Sequence, residues 1–197
     1  MLVLASASPR RQELLRNLGV PCVVHSTEIS EIPQPGETGP AFAERMAKEK
    51  AQMVLRQRPT DVILGADTVV LVDQQILGKP TDLADAARML RLLSGRTHTV
   101  ITGVCLLGTG NRELATAYCD IRSETTLVTM DALTDAEIDS YVATAEPMDK
   151  AGAYAIQGYA SRWIPRIEGD YFNVVGLPIF LLFKMLREHG IVADERA

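Results

Sequence analysis

The sequence has few cysteines, and they follow no metal-binding or disulfide pattern. Cys22, Cys105 and Cys119 are scattered along 197 residues and include no Cys-x-x-Cys pair. The three histidines do not cluster with them at zinc spacing. Cys22 lies near His25, but one such pair in a strand does not indicate a thiol nucleophile. We therefore expect free thiols in a cytoplasmic protein.

Long apolar runs and an excess of positive charge are also absent. The apolar run before the polar Ser6 is only Leu2–Ala5. Four residues are too few for the apolar region of a signal peptide. Apolar stretches such as Ile179–Phe183 are too short to span a bilayer. A net charge of −5 does not provide the broad basic face that nucleic acids require. The sequence predicts binding to neither a membrane nor a nucleic acid.

Several familiar signatures are missing as well. The chain has no Walker A run, no Gly-x-Gly-x-x-Gly after a strand, no His-Glu-x-x-His and no Gly-x-Ser-x-Gly. It has no internal repeat and no Ser/Gly linker. With 47% hydrophobic and 23% charged residues, residues 1–197 are predicted to form a single domain, in one or two lobes.

The residue pattern predicts strands and helices that interleave without a regular βαβ repeat. Strands are predicted at Leu2–Ala5, Pro21–Ser26, Val62–Ala66, Val69–Val72, Gln75–Leu77, Val100–Leu107, Leu114–Val128 and Asn173–Val175, with a turn at Gly108–Asn111. Helices are predicted at Pro9–Leu18, Pro40–Gln57, from a cap at Thr81 or Asp82 to Leu93, from a Thr134–Glu137 capping box to Ala143, and after Pro178. This succession favours an α/β fold with a mixed β-sheet and flanking helices.

The start of the first predicted helix carries the wrong charge for a stable helix. Ser8 is placed to be its N-cap and Pro9 its first residue, but Arg10 and Arg11 follow where the helix dipole is already positive. A bound anion would reverse this sign, because helix amides, the Ser6 and Ser8 hydroxyls and paired guanidinium groups bind phosphate. The alternative is that both arginines point into water, and local physics leaves the two interpretations equally open.

A lysine within an apolar helix face is the second unusual feature. At 3.6 residues per turn, Lys50 lies in the stripe that contains Phe42, Met46 and Val54. Burying an ammonium is costly unless it reaches water or an anion. Lys50 is therefore a candidate phosphate ligand, and the alternative is that it snorkels from the edge of the core.

Two acids and a second lysine complete the candidate site. Asp67 follows the apolar strand Val62–Ala66, and a carboxylate at a strand end near a sheet crevice is suited to activating water or holding a hard divalent cation. Glu31 in the polar loop would supply a second ligand, and Lys79 is held extended by Pro80. Taken singly, Asp67 could cap a turn and Glu31 could be an exposed acid. Together with the other cations they form the inventory for a metal-bound triphosphate.

These residues together resemble the Maf nucleotide pyrophosphatases, over nearly the whole chain. The segments that carry the resemblance, in order, are Ser6-Ala7-Ser8-Pro9-Arg10-Arg11, Lys50, Gly65-Ala66-Asp67-Thr68, Gly78-Lys79-Pro80, Leu93-Ser94-Gly95 with His98, and Gly176-Leu177-Pro178. We interpret His98 itself as structural or as a support behind the site.

The resemblance implies a Maf/inosine triphosphatase-like α/β fold with two lobes around a central cleft. It implies hydrolysis of a nucleoside triphosphate to the monophosphate and pyrophosphate, a divalent cation such as Mg²⁺ or Mn²⁺, and a homodimer. By the same match Asp67 is the proton acceptor, and Glu31, Lys50 and Lys79 are charged residues of the catalytic cleft.

The segment Asp149–Gly158 resembles the branch that acts on dTTP and UTP. Arg10, Thr68 and Gln157 then correspond to positions that influence base choice, and a glutamine amide offers the donor and the acceptor that a uracil edge needs. Two alternatives remain: the sister branch that prefers 7-methyl-GTP, and a regulator of cell division that binds a nucleotide without hydrolysing it. The pair of acids disfavours a pure binder, which has little use for carboxylates beside a polyanion.

Overall fold

The apolar segments of the chain pair into one mixed sheet. The computed structural model describes residues 1–109 and 117–192, and seven strands of this part of the chain form the sheet. They are β1 (Leu2–Leu4), β2 (Val23–Val24), β3 (Val62–Val72), β4 (Gln75–Leu77), β5 (Thr97–Thr109), β6 (Ala117–Thr129) and β7 (Arg166–Glu168). The strand order is β2, β1, β3, β5, β6, β7, with β4 also beside β3. β1 is parallel to both its neighbours and the other pairs are antiparallel, which confirms the predicted mixed sheet.

Helices cover both faces of this sheet. The α-helices in the described residues are α1 (Pro9–Asn17), α2 (Gly39–Leu55), α3 (Leu83–Leu93), α4 (Asp135–Val142), α5 (Tyr171–Val175) and α6 (Ile179–Glu188), and short 3-10 helices follow α4 at Glu146–Asp149, Ala151–Ala153 and Tyr159–Trp163. The Asp82 side chain caps α3, and the predicted capping box of Thr134 and Glu137 begins α4. Five predicted helices are therefore confirmed, with ends that move by a few residues. No helix of the described residues is long and apolar enough to cross a membrane.

The strand that carries Asp67 is longer than predicted. The sequence suggested that it ends at Ala66, but β3 runs without interruption from Val62 to Val72, and Asp67 lies in its middle. The reason is non-local: β5 pairs with β3 from Ile63 to Leu71 and keeps the backbone extended through the polar pair Asp67-Thr68.

The predicted strand at Asn173–Val175 was wrong, because this segment belongs to α5. The Asp170 side chain accepts a hydrogen bond from the Phe172 N–H and caps the helix, and Gly176, at φ 122°, ends it. These terminal residues outweigh the β-propensity of two valines. β7 was not predicted, and the strand expected at Pro21–Ser26 is only Val23–Val24. The turn predicted at Gly108–Asn111 lies partly outside the described residues.

Two glycines bring α2 unusually close to the sheet. A Cβ atom on Gly65 would lie 2.0 Å from the Ala47 carbonyl oxygen, and one on Gly103 would lie 2.3 Å from that of Ala43. Because side chains alternate along a strand, Asp67 projects from the same face of β3 as Gly65. The close approach therefore brings the next turn of α2 over Asp67.

The edge of β3 is interrupted where Asp67 and Thr68 lie. β1 pairs with residues 62–64 of that edge and β4 with residues 70–72, which leaves residues 65–69 between them without a strand neighbour. Two of the four clusters of the buried core also separate here, one built on β1, α1 and α6 and the other on α3 and α4, while the remaining two pack beneath α2. A cleft opens at this interruption, between the two lobes predicted from the sequence.

Candidate active site

A cleft of about 720 Å³ lies at the interruption in the sheet. Its size is within the range of small-molecule sites. Residues from the start of α1, the loop before α2, the middle of β3 and the segment after α4 form its walls. The structure places every residue that the sequence predicted for the site in this lining: Ser6, Ser8, Arg10, Arg11, Glu31, Lys50, Asp67, Thr68, Lys79 and Gln157.

Lys50 joins the two acids of the cleft. Its Nζ lies 2.5 Å from Asp67 Oδ1 and 2.6 Å from Glu31 Oε1. Lys50 is 8% exposed and Asp67 5%, so the ammonium is indeed within the apolar face of α2, as the helical spacing predicts. It is balanced by carboxylates from β3 and from the loop before α2. The alternative, in which Lys50 snorkels to bulk water, is not what the structure shows.

Burial and charge act in opposite directions on the two carboxyl groups. Burial raises the pKa of Asp67, although the positive charges of Lys50 and Arg11 counteract this rise. Burial also acts to raise the pKa of Glu31, but Lys50, with Lys79 and Arg11, lowers it overall. Asp67 is thus the more basic carboxylate, as a proton acceptor should be.

Arg11 crosslinks three segments around the cleft. Its Nε donates to the Gly176 carbonyl at 2.7 Å, Nη1 to Ser6 Oγ at 3.0 Å and Nη2 to Thr68 Oγ1 at 2.9 Å. Burial lowers the pKa of this guanidinium, and the nearby carboxylates Asp67 and Glu31 oppose that effect. Arg11 is therefore a fixed cation in the wall of the cleft, and of its five N–H groups these three bonds use three.

The start of α1 also faces the cleft. Ser8 occupies the N-cap position, but its side chain makes no capping hydrogen bond. The first-turn amides of a helix have no partner within the helix, so those of Arg10 and Arg11 remain available beside the Ser8 hydroxyl. The Arg10 Nη2 lies 3.9 Å from Asp149 Oδ2 across the cleft. This combination is suited to an anion.

Lys79 and Gln157 are on the exposed rim of the cleft. Lys79 is near enough to Glu31 to contribute to the lowering of its pKa. Thr68 faces the side of the sheet opposite Asp67, where its Oγ1 lies 2.9 Å from Thr102 Oγ1 and accepts the Arg11 bond. Side chains from both faces of β3 thus line the cleft. This is possible because the cleft lies at the interrupted edge of β3, where it is open to both faces of the sheet.

A family model described as Maf-like protein matches residues 1–189. The chain belongs to the Maf-like protein family. A dTTP/UTP pyrophosphatase of Koribacter versatilis is 51% identical over 191 residues, which cover 97% of this chain and 95% of that protein. One of Symbiobacterium thermophilum is 48% identical and covers 96% and 94% of the two chains. Among solved structures, the Staphylococcus aureus Ham1 protein has a TM-score of 0.49 at 13% identity, over 95% of this chain and 98% of that one.

Sequence reasoning missed three charged residues of this Maf-like cleft, Glu28, Asp149 and Lys150. Lys150 is buried, and its Nζ donates to the Glu146 carbonyl at 2.6 Å and to Asp149 Oδ1 at 2.5 Å. Both Asp149 and Lys150 line the cleft. The signal was available, since Lys150 precedes the small apolar run Ala151-Gly152-Ala153 and stands out in the way that Lys50 does on α2.

His98 supports the wall of the cleft from behind. It is 2% exposed, its Nε2 lies 2.7 Å from Tyr154 Oη, and Tyr154 lines the cleft. Burial lowers the pKa of His98 to about 4, so the ring is neutral at neutral pH.

All three cysteines carry free thiols, and His25 is hydrogen-bonded to Gln57.

The acids of the cleft suit a metal ion that arrives with the substrate. No group of three or more His, Cys, Asp or Glu side chains in the described residues could hold a metal by itself. Glu31 and Asp67 nevertheless bring two carboxylates to one point. Mg²⁺ is commonly bound through one or two carboxylates together with the phosphates of a nucleotide. The donor set therefore fits a Mg²⁺–triphosphate.

Proposed function

We propose that the protein hydrolyses dTTP and UTP to the nucleoside monophosphate and pyrophosphate. The observation that carries the proposal is the buried Lys50 bridging Glu31 and Asp67 in a cleft that Arg11 and the start of α1 also line. Cations supply ligands for the triphosphate, and a basic carboxylate supplies an acceptor for the proton of water. The relatives named dTTP/UTP pyrophosphatase, at 51% and 48% identity, support the choice of nucleotide.

In the proposed reaction, Asp67 accepts a proton from water as the water oxygen bonds to the α-phosphorus. The bond between the α-phosphorus and the bridging oxygen of the β-phosphate breaks, and pyrophosphate leaves. Lys50 donates to Oδ1 of Asp67, which assigns the proton to Oδ2. The raised pKa of Asp67 suits it to this role, and the positive charge of Lys50 favours the ionised carboxylate.

The cations of the cleft bind and stabilise the triphosphate. We assign the phosphates to Arg10, Arg11, Lys79 and the first-turn amides of α1, because paired guanidinium groups and helix N-termini are effective phosphate ligands. Fixed positive groups at the place where negative charge accumulates contribute more to the rate than proton transfer alone. Thr68, Arg10 and Gln157 are assigned to base choice.

Glu31 and Asp67 would hold the divalent cation, Mg²⁺ or Mn²⁺. Such an ion neutralises phosphate charge and polarises the phosphoryl group. A homodimer and a cytoplasmic location remain predictions from the sequence, and light scattering during gel filtration would test the first.

Product analysis tests the proposal. The protein is incubated with UTP, dTTP, CTP, GTP or 7-methyl-GTP, with Mg²⁺ or Mn²⁺, and the products are separated by ion exchange. We expect UMP and dTMP with stoichiometric pyrophosphate, and slower turnover of the other nucleotides. Release of orthophosphate, or no turnover of UTP and dTTP, would contradict the proposal. Faster turnover of 7-methyl-GTP would assign the enzyme to the other branch.

A further inference from the structure

Glu31 is carried by a loop that hydrophobic packing holds poorly. Residues 25–38 connect β2 to α2 and contain neither helix nor strand. Ile32, which directly follows Glu31, has a 70% exposed side chain. Ile29 packs against the cluster around Phe42, but it precedes Glu31. The chain that follows Glu31 must therefore be held by polar contacts.

Arg45 of α2 makes those contacts. Its guanidinium binds both oxygens of the Glu37 carboxylate, with Nε 2.7 Å from Oε1 and Nη2 2.8 Å from Oε2. Nη2 also donates to the Ile32 carbonyl at 3.0 Å. Glu37 Oε2 accepts a further bond from the Gln34 N–H at 2.9 Å. One side chain thus holds the loop at the residue after Glu31 and again at Glu37.

The same helix also holds the functional end of the loop. Arg45 and Lys50 both project from α2, and Lys50 Nζ binds the Glu31 carboxylate. Glu31 is consequently held at its side chain by Lys50, and through the neighbouring backbone carbonyl by Arg45. The Glu37 contact is bidentate and the side chain of Glu37 is only 9% exposed, unlike the exposed single-contact pairs that contribute little.

We propose that Arg45, through its contacts with Glu37 and the Ile32 carbonyl, is a positioning residue that places the Glu31 carboxylate for the reaction. The inference rests on the proposed function of the cleft. Lysine cannot replace arginine here, because an ammonium lacks the planar fork that binds a carboxylate and a carbonyl at once. Without the guanidinium of Arg45, the Glu31 carboxylate keeps its bond to Lys50, but the backbone at Ile32 that follows it is no longer held in place.

Arg45→Lys tests the proposal in the intact protein. We expect kcat/KM for UTP with Mg²⁺ to fall about tenfold or more, as for residues that orient metal-binding groups. The Mg²⁺ concentration for half-maximal rate should rise. Arg58→Lys is the matched control, because Arg58 makes a comparable bond to Asp61 at 2.7 Å, outside the residues that line the cleft. This control should leave both quantities unchanged.

A double-mutant cycle separates positioning from a general structural effect. If Arg45 acts through Glu31, Glu31→Gln and the double variant Glu31→Gln/Arg45→Lys should have equal activity. Activity losses that multiply would overturn the proposal, and so would normal activity of Arg45→Lys. Glu37→Gln weakens the same Arg45–Glu37 contact by changing the carboxylate instead of the guanidinium. If Arg45→Lys does not fold, the activity of Glu37→Gln tests the proposal in its place. An inactive wild type would instead contradict the proposed function.

Hydrogen exchange gives a readout that does not depend on turnover. In Arg45→Lys, the backbone amides of Gln34 and Glu37, which are hydrogen-bonded within the loop, should exchange faster, while those of β3 and β5 stay as protected as in the wild type. Unchanged exchange at these two amides would contradict the proposal.

Discussion

At the scale of single residues, the cleft is built from charged side chains in positions that violate local rules. Lys50 on an apolar helix face and Arg10 and Arg11 at a positive helix end are unfavourable without an anion. Sequence reasoning missed both Arg45 and Lys150. Lys150 could have been found from its place before a small apolar run, but Arg45 could not. Arg45 looks ordinary on the polar side of α2, and only the folded loop brings the Ile32 carbonyl to it. Its Nη1 bond to Glu49, four residues on, is an ordinary helix pair, whereas its bonds to Glu37 and to the Ile32 carbonyl are contacts with the loop that no helical spacing encodes.

Asp67→Asn should separate activity from stability. We expect turnover of UTP to be lost, because an amide does not accept the proton from water. Thermal stability should change little, because the variant removes a buried charge whose pKa burial raises, while Glu31 still pairs with Lys50. Calorimetry and the UTP assay, performed on the same preparation, would check both parts. Retained turnover would remove Asp67 from the assigned role.

At the scale of elements, local signals explain the helices better than the strands. The caps of α3 and α4 are encoded by side chains within four residues of the helix start, so their positions could be predicted. The continuation of β3 through Asp67 depends on β5, which lies more than thirty residues later. For α5, Asp170 and Gly176 were the deciding residues, and the intervening valines misled the prediction.

The close packing of α2 on β3 gives a prediction at this scale. Gly65→Ala would place Cβ 2.0 Å from the Ala47 carbonyl oxygen, so α2 must move away from the sheet. We expect a loss of about 2 kcal/mol or more of unfolding free energy, typical of overpacking against backbone. Urea unfolding measures it. Gly78→Ala is the control, because nothing lies within 4 Å of its added Cβ. Equal midpoints for the two variants would contradict this account of the packing.

At the scale of the whole molecule, the two-lobed arrangement around an interrupted sheet edge unites the site. Side chains from α1, α2, β3 and the loop before α2 come together only because β1 and β4 leave residues 65–69 of β3 open between them. The mixed sheet and flanking helices could be predicted from the order of patterns. The position of the cleft within the sheet could not, because it depends on which strands share an edge.

Acid stability of the whole fold should depend on His98. Burial lowers its pKa to about 4 in the folded protein, below the value near 6.5 of an exposed histidine. The unfolded chain therefore binds more protons between these values, and stability falls as the pH drops from about 6.5 to about 4, by roughly 3 kcal/mol in total. Urea titrations at several pH values should show a shallower acid dependence for His98→Gln. Identical slopes would contradict the burial account.

The most direct test of the central claim is hydrolysis of UTP in water enriched in oxygen-18, with mass analysis of both products. Attack of water at the α-phosphorus predicts one labelled oxygen in each UMP and none in pyrophosphate. Label in pyrophosphate would place the attack at the β-phosphorus, and labelled orthophosphate would place it at the γ-phosphorus. Either result would contradict the assignment of Asp67, Glu31 and Lys50 to a pyrophosphatase site.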